Sequence, residues 1–239
     1  MKLLFVRHGQ SENNAIWADQ QSREGRVSDP LITDIGTQQM VYTAQFLDSY
    51  LSGELLENTG GSQPEIDRIF LFCSLMERSI QSGEIISQRL NLPLLGHPDI
   101  HENGGLYEHD PVTDEPVGIP GMTKAEMKKK YPQLVQPQEI NPDGWWNRGY
   151  EARELREERA ERVVADLKCK YASGENCLIF VSHGGFYNTF LRVLLEARST
   201  DAWFELYNGA VTLIEITAEG GVNLMYNNRF DFLPSGLIT

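Results

Sequence analysis

The 239-residue sequence has little cysteine and a deficit of positive charge. Its three cysteines, Cys73, Cys169 and Cys177, are too few and too scattered for a disulfide framework, and they lack the close paired spacing of a structural zinc site. Lysine and arginine number 21 against 34 acidic residues, which gives a net charge of −13. Nucleic acids and anionic membranes bind to basic surfaces, so neither is expected as a partner. A small anionic substrate is compatible with this balance, because a few local charges set the potential of a pocket.

Long apolar runs are also missing. The N-terminal run from Leu3 to Val6 is too short for a signal peptide, and no other stretch approaches the roughly 20 apolar residues of a membrane span. Together with cysteines that we expect to be reduced, this predicts a cytoplasmic protein. The hydrophobic share of 41% and the aromatic share of 10% are ordinary for a folded chain, and we expect one domain over residues 1–239.

The order of predicted elements indicates an α/β fold. Continuous apolar runs predict buried strands at 2–7, 68–73 and 178–182, and helical spacing predicts helices over 34–51, 76–90, 149–171 and 186–195. Two further runs, 211–216 and 222–226, predict a hairpin. The stretch 57–64 is rich in glycine, serine and asparagine and predicts a surface loop.

Residues 102–149 have a different character, because glycine and proline interrupt any long element there. We interpret this stretch as an insertion or lid over the site, with a plain irregular connection as the alternative. Thr123 and Glu126 predict a capping box for a short helix ending near Tyr131, and Trp145 and Trp146 are expected to attach the insertion to the body. Five cations of the insertion either bind a second anionic group of the substrate or are solvated surface: Lys124, Lys128, Lys129, Lys130 and Arg148.

Two predicted strands end in a histidine followed directly by glycine. His8-Gly9 follows the first strand, and His183-Gly184 follows the strand at 178–182. Open α/β sheets bind ligands at the carboxyl edge of their strands, so the two histidines are expected to face one pocket. Arg78 follows a third strand by a few residues, and its planar guanidinium suits a phosphate group.

These motifs resemble the histidine phosphatase superfamily, which includes cofactor-dependent phosphoglycerate mutases, fructose bisphosphatases and many small-molecule phosphatases. The resemblance begins at Arg7-His8-Gly9-Gln10-Ser11-Glu12-Asn13-Asn14 and extends along most of the chain. Its later parts are Asp29-Pro30-Leu31 with Thr33 and Gly36, Ser74 with Arg78, His101-Glu102, and Ser182-His183-Gly184-Gly185.

The resemblance implies a phosphoglycerate mutase-like fold, in which a mixed, mainly parallel central sheet is flanked by helices. It also implies that His8 is the nucleophile that becomes phosphorylated and that Glu102 donates a proton to the leaving group. Arg7, Arg78 and His183 would hold the phosphoryl oxygens. Asn14 would contribute an amide donor and Gly184 a backbone N–H. The implied substrate is a small phosphorylated molecule.

Neither a metal nor another cofactor is expected, because the arginines and histidines can themselves stabilise the charge on a phosphoryl group. A neutral imidazole is a good nucleophile near neutral pH, which explains the choice of histidine. The predicted function is therefore hydrolysis of a phosphate monoester through a phosphohistidine on His8. The oligomeric state is left open.

Two alternatives share this fold. One is a cofactor-dependent phosphoglycerate mutase, but Asn103 and Gly104 stand where mutases typically present an arginine and a tyrosine beside the acid. The other is a non-catalytic module that binds a phosphorylated ligand, although all five groups of the catalytic set are present. A further departure from the family pattern is Leu75, which replaces the proline common after the serine of the arginine motif.

Two further alternatives use different chemistry. His97, His101 and His109, with nearby carboxylates such as Asp99, Glu102 and Asp110, would be the ligands of a metal hydrolase. Pro98 interrupts a regular helix there, and the spacing is not HExxH. A serine hydrolase would use Ser11, but the sequence around it lacks the second glycine of a nucleophile elbow.

Overall fold

A computed structural model describes residues 1–22, 24–53, 68–197 and 202–239. Within these ranges the central feature is a sheet of seven strands. They are β1 (Lys2–Arg7), β2 (Arg68–Cys73), β3 (Leu94–Gly96), β6 (Leu134–Val135), β7 (Asn176–Ser182), β8 (Val211–Ile216) and β9 (Val222–Arg229). Their order across the sheet is β6-β3-β2-β7-β1-β8-β9. A separate hairpin pairs β4 (Tyr107–His109) with β5 (Pro116–Gly118).

Strand direction decides where the site can form. β7 lies between β1 and β2 and pairs with both in parallel, and β3 and β6 continue in parallel beyond β2. β8 and β9 are antiparallel additions at the other side. The interior of β1 and nearly all of β7 are buried, as expected of strands with helices on both faces. The carboxyl ends of β1, β2 and β7 therefore meet at one edge.

Helices cover both faces of the sheet. They are α1 (Glu12–Gln20), α2 (Asp34–Leu51), α3 (Glu77–Leu90), α4 (Lys124–Lys130), α5 (Arg153–Tyr171) and α6 (Gly184–Leu194). The packed pair α2 and α3 contributes Met40, Leu47 and Ile80 to the core on one face. The packed pair α5 and α6 contributes Val163 and Phe190 on the other. The predicted α/β fold, with its mixed and mainly parallel sheet, is confirmed. None of the helices in the described ranges is both long and apolar enough to cross a bilayer.

Several element boundaries differ from the sequence-based prediction. α5 begins at Arg153 rather than 149, and α6 begins at Gly184, directly after His183. Helix α1 was not predicted, because it has no apolar stripe and buries only Asn13. A capping box between Ser11 and Asn14 starts it. The loop predicted at 57–64 lies outside the described residues.

The segment 102–149 is not entirely an insertion. Its strand β6 joins the central sheet beside β3, so that part of the segment forms the sheet edge. The predicted capping box is present: Thr123 Oγ1 accepts from the Glu126 amide at 3.3 Å, and a Glu126 carboxylate oxygen accepts from the Thr123 amide at 2.8 Å. Trp145 and Trp146 are buried, as predicted.

Candidate active site

The parallel register places the two motif histidines side by side. Arg7 at the end of β1 lies opposite Ser182 at the end of β7, so His8 and His183 follow neighbouring strands at the same level. Their ring centroids are 5.0 Å apart. Both side chains are buried, with exposed fractions of 3% for His8 and 0% for His183. The sheet topology thus brings together two residues that are far apart in sequence.

His8 is held as a neutral ring with a defined tautomer. Its Nδ1 lies 2.7 Å from the Gly9 carbonyl oxygen, which can only accept, so Nδ1 carries the proton and Nε2 has the lone pair. Burial is the main cause that lowers the pKa of His8 well below its ordinary value, and the positive charges of Arg78 and Arg7 lower it further. The ring is therefore uncharged near neutral pH, with its single proton on Nδ1.

His183 has one free ring nitrogen. Its Nε2 lies 2.6 Å from Ser74 Oγ, whereas its Nδ1 is buried with no hydrogen-bond partner among the described residues. Burial lowers the pKa of His183 well below the ordinary value, with Arg78 and His8 adding to the effect. If the Ser74 hydroxyl donates to Nε2, Nδ1 carries a proton and can donate to a ligand.

Two arginines supply positive charge beside the histidines. Arg78 on the first turn of α3 is 8% exposed and donates from Nε to His8 Nε2 at 3.2 Å. Arg7 donates from Nη1 to the Leu206 carbonyl at 2.6 Å, and its buried Nε has no partner among the described residues. Burial lowers the pKa of both guanidinium groups from a high starting value. We call His8, His183, Arg7 and Arg78 the floor of the site.

A carboxylate lies behind Arg78. Asp29 Oδ1 is 3.7 Å from Arg78 Nη1 and accepts from the Glu77 amide at 3.0 Å. Burial outweighs the attraction of Arg78 and raises the pKa of Asp29 to about 7. Asp29 is therefore expected to gain or lose its proton near neutral pH, and the negative charge beside Arg78 changes with it.

Glu102 is bound at the start of α6. One carboxylate oxygen, Oε1, accepts from the amides of Asn103 at 2.7 Å and Phe186 at 2.9 Å, and the other, Oε2, accepts from the Gly185 amide at 3.1 Å. A Cβ at 185 would overlap Glu102 Oε1, so a larger residue there would displace the carboxylate from these amides.

The structure places Asn14 and Gly184 at the margins of the floor. Asn14 Oδ1 accepts from Ser11 and, at 3.2 Å, from Asn208 Nδ2, so the oxygen is occupied by the cap of α1. Gly184 lies next to Arg7, at an ordinary van der Waals distance for a Cβ. Both residues are near the histidine motifs, and their contacts with a ligand stay a prediction.

A cleft of about 470 Å³ opens above Arg78 and Glu102. The side chains around it are Asn13, Arg26, Val27, Ser28, Asn103, Tyr107, Glu108, His109 and Asp114, together with Gly105. We call Arg26, Ser28, Glu108, His109 and Asp114 the wall of the cleft. The segment 102–149 therefore contributes through its first part, which contains the β4–β5 hairpin.

The lysines of the segment lie elsewhere. Lys124 donates to the Gln138 carbonyl and Lys130 pairs with Glu77, and Lys128 and Lys129 are exposed on α4. The Arg148 guanidinium stacks 4.2 Å above the Trp146 ring. None of these five cations is among the described residues that line the cleft. This favours the interpretation that their side chains belong to the solvated surface and do not bind the substrate.

The alternative metal and serine sites do not assemble. No group of three or more His, Cys, Asp or Glu side chains among the described residues is placed to hold a metal ion. His97 caps a short turn, and His101 packs against Trp146. Ser11 is engaged with Asn14 in the cap of α1.

Sequence reasoning missed several residues that shape the site. Ser74 belongs to the arginine motif in sequence, and its hydroxyl is hydrogen-bonded to His183. Asn208 donates to the His8 carbonyl at 3.0 Å and lies in a part of the chain without a recognisable motif. Arg159 and Glu151 form a buried pair against the segment that contains Glu102. Only Arg159 had a detectable signal: it lies one turn before Val163 on the apolar stripe of α5, where a charge is unusual.

The sequence matches a family model over residues 3–229, and the model describes the histidine phosphatase superfamily (branch 1). The chain therefore belongs to this superfamily, and the predicted resemblance is confirmed. None of the curated proteins matches the chain significantly in sequence.

Solved structures of similar fold cover almost the entire chain. The alpha-ribazole phosphatase from Shigella flexneri has a TM-score of 0.61 at 20% identity and covers 96% of each chain. The phosphoserine phosphatase from Entamoeba histolytica, solved with 3-phosphoglyceric acid, has a TM-score of 0.57 at 17% identity, with 98% of this chain and 99% of that chain covered. The mycobacterial glucosyl-3-phosphoglycerate phosphatase has a TM-score of 0.55 at 16% identity, with 95% and 98% covered. At these identities the likeness supports the phosphoglycerate mutase-like fold.

Proposed function

We propose that this chain hydrolyses a phosphate monoester in two steps through a phosphohistidine on His8. The observation that carries the proposal is the state of the His8 ring. It is neutral, its Nδ1 proton is bound to the Gly9 carbonyl, and its Nε2 lone pair accepts from Arg78, with the centre of the His183 ring 5.0 Å from that of His8. A nucleophile is thus placed among donors for phosphoryl oxygens.

In the first step, His8 Nε2 attacks phosphorus and the bond from phosphorus to the ester oxygen breaks. The substrate has to replace the hydrogen bond from Arg78 to Nε2, after which Arg78 donates to the phosphoryl oxygens. Arg7 Nε and His183 Nδ1, which lack partners among the described residues, are the further donors. Glu102, in its protonated form, gives its proton to the departing oxygen.

In the second step, water attacks the phosphohistidine. Glu102, now a carboxylate, accepts a proton from the water as the oxygen–phosphorus bond forms and the nitrogen–phosphorus bond breaks. Inorganic phosphate leaves, and both His8 and Glu102 return to their starting states. Asn14 and Gly184 are proposed as additional donors to the phosphoryl group.

The proposed substrate is a small phosphorylated molecule. The named relatives act on alpha-ribazole phosphate, phosphoserine and glucosyl-3-phosphoglycerate, as their names state. A cleft of about 470 Å³ is of a size for such molecules. The net charge of −13 argues against nucleic acid and anionic membrane as partners. Free cysteines at positions 73, 169 and 177 support a cytoplasmic location.

We also propose that residues 1–239 form one domain and that the first part of the segment 102–149 acts as a lid. The support is that Tyr107, Glu108 and His109 project over the cleft from a two-stranded hairpin outside the central sheet. A closed lid would exclude water from the phosphorylated intermediate until the product alcohol has left.

Hydrolysis is favoured over phosphoryl shuttling by the backbone beside the acid. Gly104 has φ +93° and Gly105 has φ +74°, and a Cβ at 105 would overlap the Trp146 ring. The conformation therefore opposes the larger side chain that mutases typically have at 104. Efficient isomerisation of 3-phosphoglycerate that requires a bisphosphorylated primer would contradict this assignment.

Release of inorganic phosphate from p-nitrophenyl phosphate, phosphoserine and 3-phosphoglycerate tests the proposal. His8→Ala is expected to lower kcat by roughly 10⁴-fold or more, because the nucleophile is lost. His97→Asn is the matched control, since this histidine packs against Phe72 and Phe180 away from the cleft. Near wild-type activity in His8→Ala would refute the mechanism.

A further inference from the structure

The most deeply buried charged pair in the described part of the chain packs against the segment that contains the proposed acid. Arg159 is 1% exposed and Glu151 is 6% exposed. Arg159 Nε donates to Glu151 Oε1 at 2.7 Å and Nη2 donates to Oε2 at 2.8 Å. These two parallel bonds form a bidentate pair of defined geometry.

The remaining bonds of the pair go to the segment that contains Glu102. Arg159 Nη1 donates to the carbonyls of Asp99 at 2.8 Å and His101 at 3.0 Å, and Nη2 approaches Asn103 Oδ1 at 3.4 Å. All five N–H groups of the guanidinium are thereby used. Glu151 binds the same segment, because its Oε2 accepts from the Gly104 amide and its own amide donates to the Gly104 carbonyl.

The same guanidinium contacts the other element that holds the acid. Arg159 Cζ lies 4.6 Å from the centre of the Phe186 ring. The Phe186 amide donates to Glu102 Oε1 at 2.9 Å. One side chain therefore contacts both the residues flanking Glu102 and the helix turn that binds its carboxylate.

We propose that Arg159 and Glu151 are positioning residues that fix Glu102 for proton transfer to the leaving group. The inference rests on the proposed function of Glu102. A buried ion pair is not needed for stability alone, because apolar residues of similar volume are often equally stable in its place. The pair instead bonds backbone atoms at 99, 101 and 104 and the side chain of Asn103, which together surround the acid.

The test measures how the rate depends on the leaving group. Values of kcat/KM are compared for a series of substituted phenyl phosphates, from p-nitrophenyl phosphate to unsubstituted phenyl phosphate. An aryl oxide with a low pKa departs without a proton, whereas a poorer leaving group needs the acid. A residue that places the acid therefore changes the slope of the series, and a residue that only stabilises the fold does not.

Four variants define the effect. Arg159→Lys retains the charge but lacks the fork that bonds Glu151, Asp99 and His101 together. The double variant Arg159→Met with Glu151→Met leaves no unpaired buried charge. Both are expected to lose roughly 10–100-fold on phenyl phosphate, as for a small misplacement of a catalytic group, with little change on p-nitrophenyl phosphate. Glu102→Gln defines the full change of slope, and Arg159→Lys added to it is expected to change the slope no further.

Leu167→Ala is the matched stability control. Leu167 is a buried residue on the same helix, two turns further on, and it packs in the core away from Glu102. This variant is expected to unfold at a lower temperature with the wild-type slope. An unchanged slope in folded Arg159→Lys and in the double variant, with Glu102→Gln altered, would refute the positioning role alone. An unchanged slope in Glu102→Gln would refute the proposed acid, and the positioning role with it.

Discussion

The floor of the site and the wall of the cleft are built in different ways. On the floor, His8 and His183 are buried directly after the ends of sheet strands, and Arg78 is buried on the first turn of a helix. On the wall, Arg26, Glu108 and Asp114 are exposed and lie on a hairpin or on irregular chain. Burial sets the protonation of the floor groups, as the lowered pKa of His8 and His183 indicates. We propose on this basis that the floor groups carry the chemistry and that the wall sets substrate preference.

Two glutamates sharpen this comparison most. Glu102 is bound by amides at the start of α6, whereas Glu108 is exposed on β4 and accepts from Ser28 Oγ at 3.5 Å. Glu102→Gln is expected to slow hydrolysis of poor leaving groups by roughly 10²–10⁴-fold, because the proton donor is lost. It should change p-nitrophenyl phosphate hydrolysis far less.

Glu108→Gln is the matched substitution on the wall. Its effect is expected to vary with the substrate and not with the leaving-group pKa. Steady-state kinetics on alkyl phosphates and on p-nitrophenyl phosphate separate the two residues. If the leaving-group dependence moves to Glu108, the acid has been assigned to the wrong carboxylate.

Asp29 tests the consequence of burial beneath the floor. Its pKa is about 7 in the folded chain against 3.8 in the reference state, so its stabilising contribution is complete below pH about 4 and is lost as the pH rises through 7. A difference of this size corresponds to a few kcal/mol, roughly 1.4 kcal/mol per pKa unit. Asp29→Asn is therefore expected to gain stability relative to wild type between pH 5 and pH 8.

Urea unfolding at both pH values measures this difference. The buried histidines act in the opposite direction, because their lowered pKa values make the folded state less stable as the pH falls below 6.5. Comparing the variant with wild type at each pH removes this contribution. Asp34→Asn, at the exposed start of α2, controls for removal of one carboxylate. A stability difference that does not depend on pH would contradict the role of burial.

Sequence predicts a site residue when its position follows from a local pattern, such as the end of a strand. His8, His183 and Arg78 could be placed because each follows a short apolar strand, and the parallel register does the rest. The partners of these residues could not be placed in the same way. Ser74 reaches His183, and Asn208 reaches His8, only through contacts between distant segments that local pattern does not encode. Strand β6 has two residues, too few for any periodicity.

The proposed acid shows both what sequence can predict and what it cannot. The motif His101-Glu102 predicts the position of Glu102, but the motif that contains Gly185 carries no sign that the two residues are in contact. Their connection, through amides at the start of α6, depends on the packing of the segment 99–104 against α5 and α6. That packing involves the buried Arg159, whose place on the apolar stripe of α5 indicates burial but does not identify its partners.

Arg26 tests the wall as a determinant of substrate binding. It lines the cleft and is itself exposed. Burial is the main cause that lowers the pKa of Arg78, and the like charge of Arg26 adds to that effect. Arg26→Ala is expected to raise KM for a substrate with a second anionic group by up to about fivefold, the magnitude of a solvent-screened ion pair. kcat should change little. Lys128→Ala, on the exposed side of α4, is the matched control, and an equal rise in KM there would contradict the assignment of the wall.

Metal removal is expected to have the smallest effect. The floor contains two arginines and two neutral histidines that can stabilise a phosphoryl group, and no metal-ligand cluster is present among the described residues. Extensive EDTA treatment followed by assay should leave activity unchanged. Loss of activity that only an added divalent metal restores would favour a site around His97 and His101.

Trapping the intermediate tests the central claim most directly. Rapid mixing with a phosphate monoester, quenching without acid and peptide mass spectrometry are expected to find one phosphoryl group on the peptide that contains His8. Quenching without acid matters because phosphohistidine is labile in acid. The modified peptide should be absent from His8→Ala and should accumulate with p-nitrophenyl phosphate, whose leaving group departs readily. Full turnover in wild type with an unmodified His8 peptide, or with the phosphoryl group on His183, would contradict the account.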